Sequence, residues 1–526
     1  MKRSEFDIID GRLYLEGKPL TNFVPEIRGV FCRPGGRQPK ELQIGYVVCG
    51  TSNPRTVTVR GARLRFLDFE ALDIACRYEG IRRKSQQMVN DYLRRQVAAA
   101  LENGTCGTYL DAPGWHDSPS PVFAAGEELI GAPPGQAFCL NEKFTGVRLV
   151  ADATLPEPAV EGLVRAFQRT PEAMAAFAFT LYTSVRSLLQ RAGLSTNSVL
   201  YITGTQGYGK SQLAKRFCTL YDNTEWGFPA NSFDAGSTFA GIRDALAQQR
   251  DQIVLLDDLC HSSVISEERE RQKLLSKVIR SATNTTAFGK KAGAQNAEIN
   301  CTAGLVVTAE MLPTSASELT RCILLHLDHP LTAFQIDDRL YAATVFRHFL
   351  VWFAARRESE LQRFHEDFDV FVEARQNTSE LRLQIGCWQQ VWVFDCFLRF
   401  ALDVNAISEK AASNMSRTFE GLINRAFAYT VSAVRQLTPV QPEAIAAMAM
   451  QELQAKHIPA IRHRGCLYVR LEVLTEQLRR VSQRPSLDPK TISAALRSAG
   501  MLETDASGKN TKKLDGRRYL VIRCRQ

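Results

Sequence analysis

A glycine-rich run that ends in lysine and serine is the part of this sequence best suited to chemistry. The run consists of Gly204, Thr205, Gln206, Gly207, Tyr208, Gly209, Lys210 and Ser211, and Gln212 follows it. Glycines let the backbone wrap phosphates with its N–H groups pointing inward, a lysine reaches the β- and γ-phosphates, and a serine hydroxyl ligates Mg²⁺. We predict a site for ATP and Mg²⁺ here. A chance match to a four-position pattern is the alternative.

A pair of aspartates supplies a second group with fitting chemistry. Asp257 ends the apolar run at 253–256 and lies 47 residues beyond Lys210 (257 − 210), and Asp258 follows directly. A carboxylate at the end of a buried strand is a typical second ligand for the Mg²⁺ of a phosphate-binding loop. We therefore predict that Ser211 and Asp257 hold Mg²⁺ and that Asp258 positions the attacking water.

The elements around these residues have the order that such a site requires. Residues 199–202 are apolar and predict a buried strand before the loop, and residues 212–217 predict the first turns of a helix after it. Strands and helices alternate from about residue 165 to residue 330, which is the pattern of a parallel sheet. The phosphate loop thus lies between a strand and a helix, as its chemistry demands.

Two further residues lie at the ends of later predicted strands. Thr308 ends the strand at 304–308, where it can orient the attacking water, and Arg321 precedes the apolar strand that begins at Cys322. A cation at that position can stabilise the γ-phosphate bound by a neighbouring subunit. A surface arginine at the start of a strand is the alternative.

A lysine pair lies between the acidic strand and the Thr308 strand. Lys290 and Lys291 occur between two segments that can form β-strands, which predicts a hairpin. Lysines at such a place can bind DNA phosphates. An ordinary solvated turn is the alternative.

The positive charge of the chain is concentrated at its C-terminal end. The net charge is +9, whereas residues 456–526 carry 16 Lys and Arg against 6 Asp and Glu, so this block contributes +10 and the rest about −1. A concentrated basic block is typical of a polyanion partner, most often nucleic acid.

The basic block also has a readable order of elements. One amphipathic helix begins near Leu471, a second follows Asp488 and ends at Gly500, and a hairpin is predicted with arms at 501–504 and 518–522. This order is typical of a winged helix-turn-helix, which places its second helix in the DNA major groove. The predicted DNA-binding residues are Lys490, Arg497, Lys512, Lys513 and Arg517. A winged helix used only for protein contacts is the alternative.

Composition excludes several other classes of protein. Hydrophobic residues make up 45% and charged residues 23% of the 526 residues, as in ordinary globular proteins. The most apolar helix, at 173–181, is too short to cross a bilayer, and no apolar signal segment follows Met1, so we expect a cytoplasmic protein without membrane contact. Thirteen scattered cysteines without a C-x-x-C pair argue against disulfides and zinc. His326 and His329 lack a third ligand nearby.

The chain divides into four predicted regions. Residues 1–155 read as an α+β domain, 165–330 as the α/β nucleotide-binding core, 331–440 as a helical region, and 441–526 as the winged helix. Pro156 and Pro158 predict a linker after the first region. The predicted fold class is therefore multidomain, with an α/β core between an α+β domain and helical elements.

The order of these parts resembles an AAA+ ATPase of the pre-sensor-hairpin group. The whole chain, with Gly114-Trp115 upstream and the winged helix downstream, is similar to ATPases of phages and integrative elements. Its plan is most similar to the minichromosome-maintenance-like helicases of chromosome cassettes. The resemblance implies a hexameric ring that hydrolyses ATP to separate DNA strands, with single-stranded and forked DNA and element-encoded replication proteins as partners.

Two residues depart from the family pattern. Asp258 stands where glutamate is usual, so Glu310 is an alternative general base, and Thr308 stands where asparagine is usual. Other functions stay open: an initiator or DNA remodeller that uses ATP as an assembly switch, a regulatory DNA-binding protein with a structural nucleotide site, and a superfamily-three-type helicase.

Overall fold

The computed structural model describes residues 5–523 except for short stretches. The residues outside the description are 118–120, 127, 142–143, 145, 195–196, 226, 285–289, 293–294, 298–300, 332–333, 376–379, 438–440, 464, 483–486, 505–509 and 515. The hairpin strands at 290–292 and 295–297 are described by their backbone alone. None of the described helices has the length and hydropathy needed to cross a membrane.

The N-terminal region contains both strands and helices, as predicted. Its elements are β1 (Phe6–Ile9), β2 (Arg12–Leu15), β3 (Lys18–Pro19), β4 (Phe23–Cys32), β5 (Pro39–Val48), β6 (Arg55–Arg60), a 3-10 helix (Gly61–Phe66), α1 (Phe69–Leu72), α2 (Arg82–Glu102), β7 (Gly107–Leu110), β8 (Gly114–His116), β9 (Val122–Ala125), β10 (Glu128–Ile130), β11 (Phe138–Leu140) and β12 (Val147–Leu149). A five-stranded sheet has the order β11-β7-β4-β5-β6, and α2 packs on it through Val89, Leu93 and Val97.

The central region alternates strands and helices. Its elements are α3 (Pro156–Arg169), α4 (Glu172–Arg191), β13 (Val199–Gly204), α5 (Lys210–Phe217), β14 (Tyr221–Asn223), β15 (Ser232–Phe233), α6 (Phe239–Gln248), β16 (Ile253–Leu259), α7 (Ile265–Thr283), β17 (Lys290–Ala292), β18 (Gln295–Ala297), β19 (Gly304–Ala309), α8 (Ala316–Leu319) and β20 (Cys322–Leu327). The parallel sheet predicted for this region is confirmed. Its five strands are all parallel and have the order β15-β16-β19-β13-β20.

This sheet is buried on both faces, which explains its continuously apolar strands. In β13, Leu200 and Ile202 belong to one hydrophobic cluster with α4, while Val199 and Tyr201 belong to another with α6 and α7. Successive side chains point to opposite faces of a strand, so a strand covered on both sides needs apolar residues at every position.

The segment marked by Pro156 and Pro158 is a helix, so the predicted linker is wrong. The helix α3 begins at Pro156 and buries Val160 and Leu163 against the central core. Proline is tolerated in the first turn of a helix because the N–H that it lacks has no partner there. The two prolines therefore start a helix and do not interrupt the fold.

Gly114 and Trp115 dock on the central region through a buried aspartate. The backbone N–H of Trp115 donates to Asp251 Oδ2 at 3.0 Å, and the indole Nε1 donates to the carbonyl of Ser184 at 2.8 Å. A Cβ on Gly114 would lie 2.5 Å from the same carboxylate oxygen, so only glycine fits. Trp115 accordingly belongs to the hydrophobic cluster of the central region.

Three long helices follow the sheet, and a smaller α/β unit ends the chain. The helices are α9 (Asp338–Glu373), α10 (Leu381–Asp403) and α11 (Glu409–Leu437). The last elements are α12 (Pro442–Gln454), β21 (Ala460–His463), β22 (Cys466–Val469), α13 (Leu471–Ser482), α14 (Pro489–Ser498), β23 (Thr511–Leu514) and β24 (Arg517–Arg523). The terminal sheet has the order β21-β22-β24-β23.

The C-terminal hairpin uses a different first arm from the predicted one. Strand β23 pairs with β24, whereas the predicted arm at 501–504 contributes only an isolated bridge between Leu502 and Ile522. A connection of two residues, the second being Gly516 at φ +77°, joins β23 to β24. Such short connections with a glycine in the left-handed region are preferred in hairpins, which explains why the nearer segment pairs.

Candidate functional site

The glycine-rich run forms the loop between β13 and α5. Gly204, Gly207 and Gly209 have φ values of 151°, 82° and 92°, all in the region that favours glycine. A Cβ on Gly204 would also lie 2.8 Å from the carbonyl oxygen of Leu327 on the adjacent strand β20. The glycines therefore give the loop its path, and the loop ends at the N-terminus of an eight-residue helix, where backbone N–H groups lack helical partners.

Lys210 is buried at the base of this loop. Its side chain is directed back along the loop, and Nζ donates to the carbonyl oxygens of Gly204 at 2.8 Å and Thr205 at 3.0 Å. The ammonium group is thus held among loop carbonyls and helix N–H groups. Positive charge and free N–H groups at one place form a binding site for an anion such as phosphate.

Asp257 lies opposite the loop and is surrounded by donors. Lys215 Nζ is 2.7 Å from its Oδ2, the Thr308 hydroxyl donates to its Oδ1 at 2.6 Å, and the Ser211 hydroxyl hydrogen-bonds the same carboxylate. Burial raises the pKa of Asp257, but these hydrogen bonds and the charge of Lys215 outweigh burial and lower the pKa below its ordinary value. The carboxylate is therefore ionised at neutral pH.

Thr308 holds the end of the acidic strand in place. It lies on β19 between the loop strand β13 and the acidic strand β16, and its side chain is fully buried. Besides donating to Asp257, its hydroxyl accepts the backbone N–H of Asp258 at 2.8 Å. One hydroxyl thus fixes both aspartates.

Asp258 has an unusual backbone conformation and an exposed side chain. Its φ of 60° lies in the left-handed region, where the register between β16 and β19 shifts after Leu256. Aspartate tolerates this region better than most residues, although a non-glycine residue there costs on the order of 1 kcal/mol. The bulge directs Asp258 away from the buried position of Asp257. Glu310 lies just beyond β19, and its backbone N–H donates to the carbonyl of Leu259 at 2.9 Å.

The donor set fits Mg²⁺ bound to a nucleotide. Magnesium prefers oxygen ligands and is usually bound through one or two protein groups and substrate phosphates. The hydroxyl of Ser211 and the ionised carboxylate of Asp257 are in contact, and both can serve as such ligands beside the phosphate loop.

Lys215 is a site residue that was not predicted. It lies one helical turn after Ser211 on α5, and residues four apart share one face of a helix. The four-residue spacing from Ser211 could have indicated that Lys215 faces the same site. The lysine contributes a second positive charge at the carboxylate that faces the loop.

Arg321 lies at the opposite end of the sheet from the loop. In the parallel pairing of β20 with β13, Cys322 is opposite Val199 and Leu327 is opposite Gly204. Arg321 lies one residue before Cys322, so six residue steps at about 3.3 Å each place it roughly 20 Å from its own glycine-rich loop. The half-buried guanidinium donates to Thr283 Oγ1 at 3.0 Å and Asn284 Oδ1 at 2.7 Å, at the end of α7.

The predicted DNA-binding residues lie on four elements, β17, α14, β23 and β24. Strands β17 and β18 pair as an antiparallel hairpin, as predicted, while the side chains of Lys290 and Lys291 lie outside the description. On α14, Lys490 and Arg497 are exposed, and Ile492, Ala495 and Leu496 are buried. Asp488 caps this helix by accepting the backbone N–H groups of residues 490 and 491.

The basic side chains of the last hairpin are also exposed. Lys512 and Lys513 lie on β23, and Arg517 begins β24 directly opposite Leu514. Because β23 ends at Leu514 and β24 begins at Arg517, these residues lie on paired strands and not in a long polar tip. Lys512 and Lys513 are consecutive on the strand and therefore point to opposite faces of the hairpin, so both faces carry exposed positive charge.

Comparison with known proteins shows a fold relative along almost the entire chain. No protein-family model and no curated protein matches the sequence. A solved structure described as "SCCmec type IV Cch - active helicase" has a TM-score of 0.58 at 12% identity and covers 99% of this chain and 98% of its own. The C-terminal region of NrS-1 in an apo form reaches a TM-score of 0.30 at 11% identity over 92% and 94% of the two chains, too low to support an argument. The chain therefore shares the fold of a protein described as an active helicase.

Proposed function

We propose that this protein is an ATP-dependent DNA helicase of the AAA+ type. The observation that carries the proposal is the meeting of Lys210, Ser211, Asp257 and Thr308 at the carboxyl edge of the parallel sheet. Ligands bind at this edge in open α/β sheets. The fold likeness to a structure described as an active helicase supports the choice of helicase among ATP-using proteins.

Each site residue has a proposed role in ATP hydrolysis. The loop from Gly204 to Gln212 binds the phosphates, and Lys210 neutralises their negative charge. Ser211 and Asp257 hold Mg²⁺, which when bound neutralises charge on the phosphate oxygens. Thr308 fixes the two aspartates, and Asp258 accepts a proton from the attacking water. Glu310 is the alternative base.

We propose that hydrolysis requires a neighbouring copy of the chain. Arg321 lies roughly 20 Å along the sheet from its own loop, so a nucleotide that it contacts must belong to another subunit. A closed ring in which each loop faces the next subunit's arginine satisfies this requirement at every site. A ring of six is the number implied by the minichromosome-maintenance-like resemblance.

The DNA contacts are proposed for the hairpin and the C-terminal unit. Lys290 and Lys291 on the β17–β18 hairpin would bind the backbone of one strand. The unit that begins at α12 has the helices and the strand pair of a winged helix, and the exposed basic residues of α14 and β23–β24 would bind duplex DNA. In this role the protein would serve the replication of a mobile element in the cytoplasm.

The proposed activity is tested by measuring ATP hydrolysis with and without single-stranded DNA. The wild-type protein should hydrolyse ATP faster when DNA is present, and Lys210→Ala and Asp257→Asn should remove hydrolysis. Lys273→Ala, at an exposed lysine on α7, is the matched control and should behave as wild type. Hydrolysis that survives Lys210→Ala would contradict the assignment of the site. Hydrolysis that DNA does not change would favour the assembly-switch alternative.

A further inference from the structure

A strongly basic segment lies at the edge of the N-terminal sheet, far in sequence from the nucleotide site. It comprises β6 and the 3-10 helix, residues 55–66, and contains four arginines, Arg55, Arg60, Arg63 and Arg65, without any acidic residue. Strand β6 is the last strand of the five-stranded sheet. The residues that follow it line one side of a groove of about 570 Å³.

The 3-10 helix that carries part of this segment is firmly attached to the domain. Leu64 and Leu67 are buried in the N-terminal core, and Asn90 Nδ2 on α2 donates to the carbonyls of residues 65 and 67 at 3.3 Å. A Cβ on Gly61 would lie 2.4 Å from the carbonyl oxygen of Pro39, so the turn approaches the neighbouring strand closely. The side chains on this turn are therefore presented by a fixed backbone.

Phe66 is exposed on this fixed turn although it is a large aromatic residue. Its relative exposure is 68%, and the guanidinium carbon of Arg65 lies 4.5 Å from its ring centroid. Because its backbone is held between the buried residues Leu64 and Leu67, this exposed ring is accessible to a flat partner that could stack on it.

The groove beside Phe66 combines two arginines, one hydroxyl and apolar surface. It is lined by Thr58, Arg60, Arg63, Phe66, Asp68 and Leu72, among others. The one carboxylate among them, Asp68, accepts the backbone N–H of Glu70 and lies 2.8 Å from Arg82. Its charge is thus compensated, and the arginines give the groove a positive character.

We infer that this groove binds single-stranded DNA. Arginines that follow a backbone together with an exposed ring on which a base can stack are the two parts of a single-strand site. A duplex keeps its bases stacked on one another and offers no free base face to Phe66. An acidic peptide would use the arginines and leave the ring without a flat partner. The arginines and the exposed ring indicate a single-stranded nucleic acid whatever the function of the protein. The choice of DNA as that nucleic acid rests on the proposed function.

The test is the binding of a labelled oligo-dT of about ten nucleotides to the full-length protein, within the site sizes usual for single-strand folds. Phe66→Ala should weaken binding about 5- to 100-fold, the range expected for loss of one stacked base, and Phe66→Trp should restore it. Arg60→Ala combined with Arg63→Ala should lower the slope of log Kd against log salt by about 1.4, which is 0.7 for each phosphate contact on a single strand.

Matched controls and outcomes keep the inference separate from the proposed function. Phe228→Ala removes a ring of 70% exposure elsewhere and should leave the affinity unchanged. Basal ATP hydrolysis without DNA should be the same in wild type and Phe66→Ala. The inference is overturned if Phe66→Ala binds oligo-dT as wild type does, if it weakens duplex binding equally, or if poly-glutamate binds more tightly than oligo-dT. If Lys210→Ala loses ATP hydrolysis but still binds oligo-dT in a manner that depends on Phe66, the inference is supported independently of the ATPase site.

Discussion

Replacing Thr308 by valine removes one hydroxyl that the structure uses twice. Valine has nearly the same shape as threonine, so the change deletes the donor to Asp257 Oδ1 and the acceptor for the Asp258 N–H without opening a cavity. Because Thr308 is fully buried, water cannot take the place of the hydroxyl. Both aspartates should lose their fixed positions, and the pKa of Asp257 should rise, since one of the hydrogen bonds that lower it is gone.

The expected loss of stability follows from these two bonds. A hydrogen bond to a charged group contributes about 1.5–3 kcal/mol, and a buried N–H left without a partner costs about 1 kcal/mol or more. The unfolding free energy of the central region should therefore fall by about 2–4 kcal/mol in Thr308→Val. Thr308→Ser keeps the hydroxyl and loses one methyl group, which costs about 1 kcal/mol.

Thermal unfolding and ATP turnover measure the two effects in the same samples. The transition of the central region is the one that Mg-nucleotide raises, and it should move down by several degrees in Thr308→Val. The kcat for ATP should fall at least about tenfold, equivalent to about 1.4 kcal/mol in the barrier. In Thr308→Ser both quantities should stay close to wild type.

The reasoning would be refuted if Thr308→Val had the melting temperature and kcat of the wild type. A normal melting temperature with a lost kcat would mean that the hydroxyl acts on the attacking water alone. In that case Thr308→Asn should restore turnover, because an amide can orient the same water.

Three further predictions concern separate parts of the molecule. Arg321→Ala should lower ATP turnover about 10³-fold or more, and mixing it with Lys210→Ala should restore hydrolysis, because each protein supplies what the other lacks; a mixture that stays inactive contradicts the shared site. His116 donates from Nε2 to Ala112 and accepts from Arg250 at 3.0 Å, and burial and that charge lower its pKa to about 4 from 6.5. The unfolded state thus binds the proton first, so the unfolding free energy should fall by up to about 3 kcal/mol as pH drops from 6.5 to 4. His116→Phe should remove that part of the pH dependence in denaturant titrations. Gly204→Ala should destabilise the fold by about 2 kcal/mol or more and weaken nucleotide binding, because its Cβ would collide with the carbonyl oxygen of β20; unchanged affinity by calorimetry would contradict this.

The proposed nucleotide site could be predicted from sequence because its parts are local. The loop, the strand before it and the helix after it occupy one continuous stretch, and the apolar run before Asp257 identifies a buried strand end. Lys215 was not predicted because its contact is with Asp257 on β16, a strand that is far away in sequence. The double use of the Thr308 hydroxyl likewise depends on β19 lying beside β16.

The predicted linker at Pro156 and the predicted first arm of the C-terminal hairpin were wrong because the same residues are compatible with more than one structure. Proline marks loops and also begins helices, and only the burial of Val160 and Leu163 decides for a helix at Pro156. In the C-terminal unit, two segments were available to pair with β24. The segment nearer to the turn pairs, and Leu502 instead packs in the core of that unit.

The docking of Gly114 and Trp115 was not accessible from sequence. Their partners are Asp251 and Ser184, which follow them by more than sixty residues, and the contact depends on a buried carboxylate. No spacing rule connects such positions. The structure explains the glycine by the close approach of Asp251, which leaves no room for a Cβ.

Strand displacement from a forked DNA duplex tests the central claim most directly. With ATP and Mg²⁺ the wild-type protein should release the labelled strand in a time-dependent manner, and Lys210→Ala should release none under the same conditions. Thr308→Ser should remain close to the wild-type rate. Displacement by Lys210→Ala at the wild-type rate, or an active ATPase that never separates the strands, would contradict the account of this protein as an ATP-driven DNA helicase.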